Sequence, residues 1–156
     1  MSLALWHCIR CGECCKNMVG RKFGAAITPQ EKQRLEILAS RRCIRPHFAP
    51  LTSNGFGVTL WQFVDEICPF LDKKTNQCMV YQWRPLLCKM YPLHAQGVGR
   101  CSSLSSMQRR GFRVVWPPGM LNSGKEYVAT VLRSIKGASK RYNLALGKWE
   151  RNYSPS

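Results

Sequence analysis

Cys8-Ile9-Arg10-Cys11-Gly12-Glu13-Cys14-Cys15 places four thiols in eight residues, and Cys68, Cys78, Cys88 and Cys101 follow at intervals of ten, ten and thirteen. Free cysteine is a small hydrophobe that enters cores singly, so packing does not account for such a cluster. Two readings compete with metal chelation. A disulfide framework suits small secreted chains, but Met1 to Trp6 shows no basic stretch followed by an apolar run, so no cleavable signal peptide is expected. Nine cysteines also leave one thiol over, and adjacent residues such as Cys14 and Cys15 pair poorly with each other. A C-x-x-C redox pair needs a strand-to-helix setting, and neither Cys8-Ile-Arg-Cys11 nor Cys11-Gly-Glu-Cys14 follows a strand-like segment.

Chelation explains the spacing. Two residues between thiols let the chain fold back over one ion with amides aimed at the sulfurs, and Gly12 permits the positive-φ turn this needs. His7, Arg10 and Lys16 are expected to lower thiol pKa values and offset thiolate charge. Zinc and iron–sulfur clusters both accept four cysteines. The C-x2-C-x2-C spacing and Cys68-Pro69 lean toward iron–sulfur chemistry, whereas the fourth cysteine of the run comes at once rather than three residues on. The side chains of Cys14 and Cys15 diverge, so the pair is not expected to serve one mononuclear zinc. The expected metal ligands are Cys8, Cys11, Cys14, Cys15, Cys68, Cys78, Cys88 and Cys101, enough for two centres or for one with the remainder structural. Spacing alone does not decide the partition.

At 156 residues the chain is long enough for a real core, and no eighteen-residue apolar stretch predicts a transmembrane helix. A soluble, cytoplasmic protein is expected. The 24 Lys and Arg against 8 Asp and Glu give a formal charge of +16, which ionised metal-bound thiolates would reduce.

Around the cysteines, Thr28-Pro29-Gln30-Glu31 reads as N-cap, N1 proline and capping-box glutamate, predicting a helix from Pro29 to Arg41 with Leu35, Leu38 and Ala39 inward. Cys43, just past its end and far from other cysteines, reads as an ordinary thiol. The β-branched and aromatic stretch Gly55–Phe63 predicts a strand, with Cys78–Tyr81 as its short partner. The polar turn Asp72–Asn76 is expected to bring Cys68 and Cys78 together. Arg84-Pro85 opens a short helix carrying Cys88, which Pro92 stops.

The linked pattern Cys8-x2-Cys11-Gly-x-Cys14-Cys15, Cys68-Pro-Phe-Leu, and Cys78-x-Val-Tyr81-x2-Arg84-Pro85-x2-Cys88-x2-Tyr91-Pro92 resembles the YkgJ-type CxxCxxCC cysteine-cluster family. That family is associated with zinc or iron chelation and includes the flagellin lysine N-methylases. The resemblance covers about residues 6–101 and implies that Cys8, Cys11, Cys14, Cys15, Cys68, Cys78 and Cys88 are ligands. Cys101 lies where such proteins often carry a further cysteine, while Lys89 and Tyr91 stand where Arg and Phe are more familiar. Methyl transfer would need a nucleoside-cofactor pocket, and Gly97-Val98-Gly99 is too isolated to supply its glycine-rich turn.

After Cys101, ten Lys and Arg face only Glu126 and Glu150, a net +8. This excess predicts a polyanionic partner. Arg109, Arg110 and Arg113 flank a strand expected over Phe112–Trp116, which Pro117-Pro118-Gly119 ends. Ser123–Glu126 reads as the capping box of a second helix, with Val128, Val131, Leu132, Ile135 and Tyr142 as its apolar stripe. Arg133, Lys136, Lys140 and Arg141 are left for solvent or phosphates. With Arg21-Lys22 and Arg41-Arg42 adding to the excess, RNA is the preferred partner, and Trp116, Tyr142, Trp149 and Tyr153 are candidates to stack on bases. No RNP1-like segment, KH loop or DNA-reading finger occurs, so binding would rest on phosphates and shape, as in a ribonucleoprotein such as the ribosome. An anionic membrane is a weaker alternative, for want of a basic segment with large apolar anchors. His7 and His94 read as surface or outer-sphere groups, and Asn152-Tyr153-Ser154, a glycosylation pattern, carries no meaning without secretion.

The sequence thus predicts an α+β fold: a small irregular cysteine-rich metal-binding domain over residues 1–104, with a short hairpin or sheet and two or three helices, and a basic strand–helix extension over 105–156 packed on it. The expected function is a structural iron–sulfur or zinc centre with an RNA- or ribonucleoprotein-binding surface; a protein partner is also compatible. The alternative is an iron–sulfur enzyme or accessory protein related to protein-lysine N-methylases. The vicinal Cys14–Cys15 pair is expected to need Cys68, Cys78 and Cys88, making the N-terminal run half of a split site.

Overall fold

Thr28 begins the first helix as expected: its hydroxyl accepts from the Glu31 amide at 3.2 Å, and the Glu31 carboxylate accepts from the Thr28 amide at 2.8 Å. The computed structural model describes residues 1–94 and 97–152, so Tyr153 and Ser154 lie outside the described residues. Helix α1 (Pro29–Arg41) buries Leu35, Leu38 and Ala39. It closes with a Schellman turn in which the Ile44 amide donates to the Ala39 carbonyl at 3.0 Å and the Cys43 amide to the Ser40 carbonyl at 3.4 Å. Cys43 occupies the left-handed position of that turn, at φ 54, and is exposed.

The α+β architecture centres on an antiparallel sheet in the order β11-β10-β3-β4-β2, formed by β2 (Ala26–Ile27), β3 (Phe48–Ser53), β4 (Val58–Phe63), β10 (Lys140–Asn143) and β11 (Lys148–Arg151). The strand expected over Gly55–Phe63 forms at β4, but its partner is β3 rather than Cys78–Tyr81. Asn54 and Gly55 belong to the connecting turn, where the Asn54 side chain accepts from the Phe56 amide at 2.9 Å and Gly55 has φ 91. A local hairpin closed by this Asx turn displaces the more distant pairing.

Side chains alternate across β4. Trp61 and Phe63 join α1, Ile27 and Phe70 on one face, whereas Leu60 joins Leu51, Val131, Tyr127 and Ile135 on the other. Buried Gln62 has its polar atoms satisfied: it donates to the carbonyls of Pro50 at 2.7 Å and Tyr142 at 3.1 Å and accepts from the Gly24 amide at 2.7 Å. One side chain therefore fastens three neighbouring segments to the sheet.

The cysteine-bearing segments are shorter. They comprise a 3-10 turn at Glu13–Cys15, the two-residue strands β5 (Leu71–Asp72) and β6 (Gln77–Cys78), a 3-10 turn at Tyr81–Trp83, α2 (Leu86–Met90), and β7 (Leu93–His94) paired with β8 (Gly97–Val98). The chain start returns as β1 (Leu3–Leu5), parallel to β9 (Arg113–Val115), and α3 (Ser102–Arg109) packs beside it. Neither β1 nor α3 carries a periodicity long enough to read from sequence.

The C-terminal helix begins at Pro118, five residues before the expected capping box. It runs as α4 (Pro118–Tyr127), a π-helical segment Val128–Leu132 and α5 (Arg133–Gly137). Proline at the first helical position, with φ already set, starts the helix ahead of Ser123. The Thr130 hydroxyl donates to the Glu126 carbonyl at 2.7 Å within the widened turn. Ala138 turns extended and ends the helix. Tyr142, Lys140 and Arg141 consequently stand on strand β10, not on the helix.

Candidate metal centre

Main-chain hydrogen bonds bring the two cysteine blocks together. The Cys68 amide donates to the Cys15 carbonyl at 2.7 Å and the Met18 amide to the Glu66 carbonyl at 2.8 Å. The Asn76 side chain of the β5–β6 turn donates to the Cys11 carbonyl, and Gly12, at φ 79, faces Asn76 so closely that a Cβ would lie 2.7 Å from its carbonyl oxygen. Gly12 thus serves both the positive-φ turn expected of it and the close approach of the hairpin. Glu13 accepts from the Ser102 amide at 2.6 Å, and Ser103 donates to the His7 carbonyl at 2.7 Å.

Cys14, Cys15, Cys68, Cys78 and Cys88 line one enclosed cavity of about 20 Å³, walled by Leu35, Phe63, Phe70 and Val80 and flanked by Arg84. Cys15 stands beside Cys14, Cys68 and Cys78 and favours their thiolates: with help from the Arg84 guanidinium it brings Cys14 and Cys78 down to about 7, and it also lowers Cys68. The same neighbours, and burial, push Cys15 up. Cys88 is half-buried as a residue, yet burial of its thiol raises its pKa well above the usual value.

Cys8, Cys11 and Cys101 join Cys14, Cys15, Cys78 and Cys88 around an adjoining, more open cavity. Cys8 and Cys101 pack with Trp6, Tyr91 and Trp116. Cys11 lies 3.4 Å from the Glu13 carboxylate, and burial raises its thiol pKa while the Ser102 amide holds Glu13 down. Burial, then Glu13, pushes Tyr91 up to about 12, and its hydroxyl donates to the Arg100 carbonyl.

One local influence recurs at four sulfurs. The Arg10 amide donates to Cys8 Sγ at 3.3 Å, and the backbone amides of Glu13, Phe70 and Val80 act to lower the pKa of Cys11, Cys68 and Cys78. Each donor sits two residues after its cysteine. Amides so placed stabilise thiolate over thiol and tune a bound metal. Among the described residues no three His, Cys, Asp or Glu side chains converge as a ready-made ion cage. The donor set nevertheless fits a thiophilic metal in chemistry: neighbouring sulfurs, amide donors to them, a guanidinium to offset charge and an apolar wall. Zinc and an iron–sulfur cluster both match it.

The cation that lowers the thiols is Arg84, rather than the expected His7, Arg10 and Lys16. Arg84 donates to the Tyr81 carbonyl at 2.8 Å and stacks 3.8 Å over the Tyr81 ring, while Arg10 lies 4.2 Å above that ring. Arg84 is visible in the sequence only as the residue before Pro85. Lys16 acts on Glu13 instead.

The basic residues fall in three places. Arg109, Arg110 and Arg113 are exposed around the α3–β9 turn. Arg133 and Lys136 are exposed on α5, and Lys140 on β10. Arg141 is half-buried, 3.9 Å over the Phe23 ring, and burial lowers its pKa. Of the aromatic candidates, Trp116 packs on Trp6 with ring centroids 6.0 Å apart. Tyr142 and Trp149 meet edge to face at 5.4 Å across β10 and β11.

The model of the CxxCxxCC family, described as "Putative zinc- or iron-chelating domain", matches residues 7–111. An uncharacterized protein of Methanocaldococcus jannaschii is 36% identical over 92 residues, covering 58% of this chain and 46% of the relative. The chain thus spans about half the length of the curated relative it matches. No solved structure matches it.

Proposed function

The chain belongs to the CxxCxxCC family, whose description supports metal chelation, and we propose a metal-organised RNA-binding protein: a zinc or iron–sulfur centre holds the irregular half in shape, and the β10–β11 ribbon, on the ground of its own residues, binds single-stranded RNA or a ribonucleoprotein. In the antiparallel ribbon, directly opposed residues share a face. Lys140 opposes Arg151 and Tyr142 opposes Trp149, so two cations and two aromatic rings lie on the same face. Trp149 is 37% exposed, and Lys140 and Arg151 are open to solvent. That juxtaposition carries the RNA reading, because stacking rings beside phosphate-binding cations are what an unpaired strand requires. The metal when bound supplies cross-linking. The chain's residues supply thiolate ligands, Arg84 charge compensation and backbone amides beside some of the sulfurs.

Filter binding with a single-stranded RNA tests the ribbon. Affinity should fall as salt rises, and Trp149→Ala should weaken it by about 1–3 kcal/mol per stacked base. Absent or salt-insensitive binding would overturn the RNA reading. Metal analysis of protein purified without oxygen tests the centre; absorbance near roughly 400 nm accompanies an iron–sulfur cluster and is missing for zinc. Methyl transfer by the metal-loaded protein would favour the methylase-related reading.

A further inference from the structure

The widest cavity among the pockets described is far from the ribbon's stacking face in composition: it lies between α2–β7 and the long C-terminal helix, over about 750 Å³. Its floor is aliphatic, built from Met90, Leu93, Leu121, Val128 and Leu132. Leu121 and Val128 are 46% and 55% exposed. Leu121, Lys125, Val128, Leu132 and Lys136 recur at three- and four-residue intervals, so they form one continuous stripe of helix. From Leu121 to Lys136 that stripe is roughly 22 Å long. Lys125, Arg133 and Lys136 rim it, and no acidic residue lines it among the described residues; Glu126 is exposed on the same helix outside the groove.

We propose that this groove docks an acidic amphipathic helix of a partner protein. An exposed apolar stripe several turns long matches helix-in-groove recognition, where anchors spaced by three and four residues fill the floor. The cationic rim selects carboxylates beside those anchors. A second copy of this chain is disfavoured because it would set cationic rim against cationic rim on molecules of formal charge +16. RNA would satisfy the rim but leave the aliphatic floor without a stacking partner. The proposal assigns Arg133 and Lys136 to protein recognition and leaves the nucleic-acid reading on the ribbon.

The probe is a fluorescently labelled 18-residue peptide of Leu and Glu with leucines on one helical face, titrated into the full metal-loaded chain near 150 mM salt. A scrambled peptide of the same composition is the control. The amphipathic peptide should bind at least about tenfold more tightly than the scrambled one, and Val128→Glu and Leu121→Asp should each abolish that preference. Both residues are exposed, so unchanged metal content and circular dichroism will show that the variants fold. Lys125→Glu with Lys136→Glu should weaken binding further at low salt than at high salt, whereas Trp149→Ala should leave peptide binding unchanged. Equal binding of both peptides would reduce the effect to net charge and overturn the proposal. Displacement of the peptide by an RNA oligonucleotide, or self-association abolished by Val128→Glu, would assign the groove to another occupant and overturn it as well.

Discussion

Among the elements that contain a candidate ligand the longest is the five-residue α2, whereas β3 and β4 each run six residues and the C-terminal helix continues from Pro118 to Gly137. The first region carries isolated polar contacts, the Arg10 amide to Cys8 Sγ, Asn76 to the Cys11 carbonyl and Glu13 to the Ser102 amide, beside a core in which Cys15, Cys68, Phe70 and Val80 pack with Leu35 and Phe63. The second is a repeating ladder over aliphatic cores, with Leu51, Leu60 and Val131 almost completely buried. Short irregular segments forgo the cooperative hydrogen bonding of longer elements, so a cross-link adds more to their order than to a ladder's. On the proposed reading, the difference separates a half that a metal reinforces from a half that packing and a hydrogen-bonded ladder hold.

Removing the metal is the most severe way to break that comparison. A structural thiolate centre supplies on the order of 10 kcal/mol to the segments it joins. Chelation should therefore abolish hydrogen-exchange protection across residues 6–18 and 66–101 while β3 and β4 keep theirs. Protection lost equally everywhere would show one cooperative unit. Protection retained everywhere would show that the centre is not structural.

Leu51→Ala attacks the other side. Its side chain is 1% exposed in the core between sheet and C-terminal helix, and truncation should lower the unfolding free energy by about 2–5 kcal/mol in urea titration. Metal content per folded molecule should stay constant. A parallel loss of metal would erase the proposed division.

Glu31→Ala tests where the halves meet. One carboxylate oxygen caps α1 through the Thr28 amide, and the other accepts from the Leu86 amide at 2.7 Å, at the start of the helix that carries Cys88. Losing both bonds from a buried site should cost about 2–3 kcal/mol. Metal affinity should fall too, because Cys88 loses its anchored helix. Stability lost with metal affinity unchanged would confine Glu31 to capping.

Glu31 also marks how far the sequence could be read. Its capping role is local, spelled by Thr28-Pro29-Gln30-Glu31, and α1 forms over the predicted span. Its bond to Leu86, fifty-five residues away, leaves no local pattern. The same holds for the site. Family membership and the clustered cysteines were legible from spacing and motif, whereas Arg84 as the compensating cation depends on how Tyr81 and the hairpin pack. β10 and β11 were hidden because Tyr142 and Ile135 lie seven residues apart, a helical interval, although Ala138 ends the helix between them. Sequence alone gives the Gly55–Phe63 strand Cys78–Tyr81 as its partner because Phe48–Ser53, interrupted by Pro50, does not read as a strand and Gly55 belongs to the turn that joins the two.

The smallest effect concerns the cysteine that stands apart from both thiol groups. Cys43 holds the left-handed position of the Schellman turn after α1, where glycine is the usual residue because it carries no Cβ to clash there. The turn lets Ile44 pack against the α1 core, so this position serves the helix end rather than a metal. Cys43→Gly removes the strained side chain but increases unfolded-chain entropy, and these opposing terms limit the change to within about 1 kcal/mol. Thermal unfolding should therefore shift little and metal content not at all, whereas Cys15→Ser, in the cavity lined by Cys14, Cys68, Cys78 and Cys88, should lower metal content. A drop in metal content for Cys43→Gly would make the ninth cysteine a ligand and extend the metal-shaped region across α1 to the sheet.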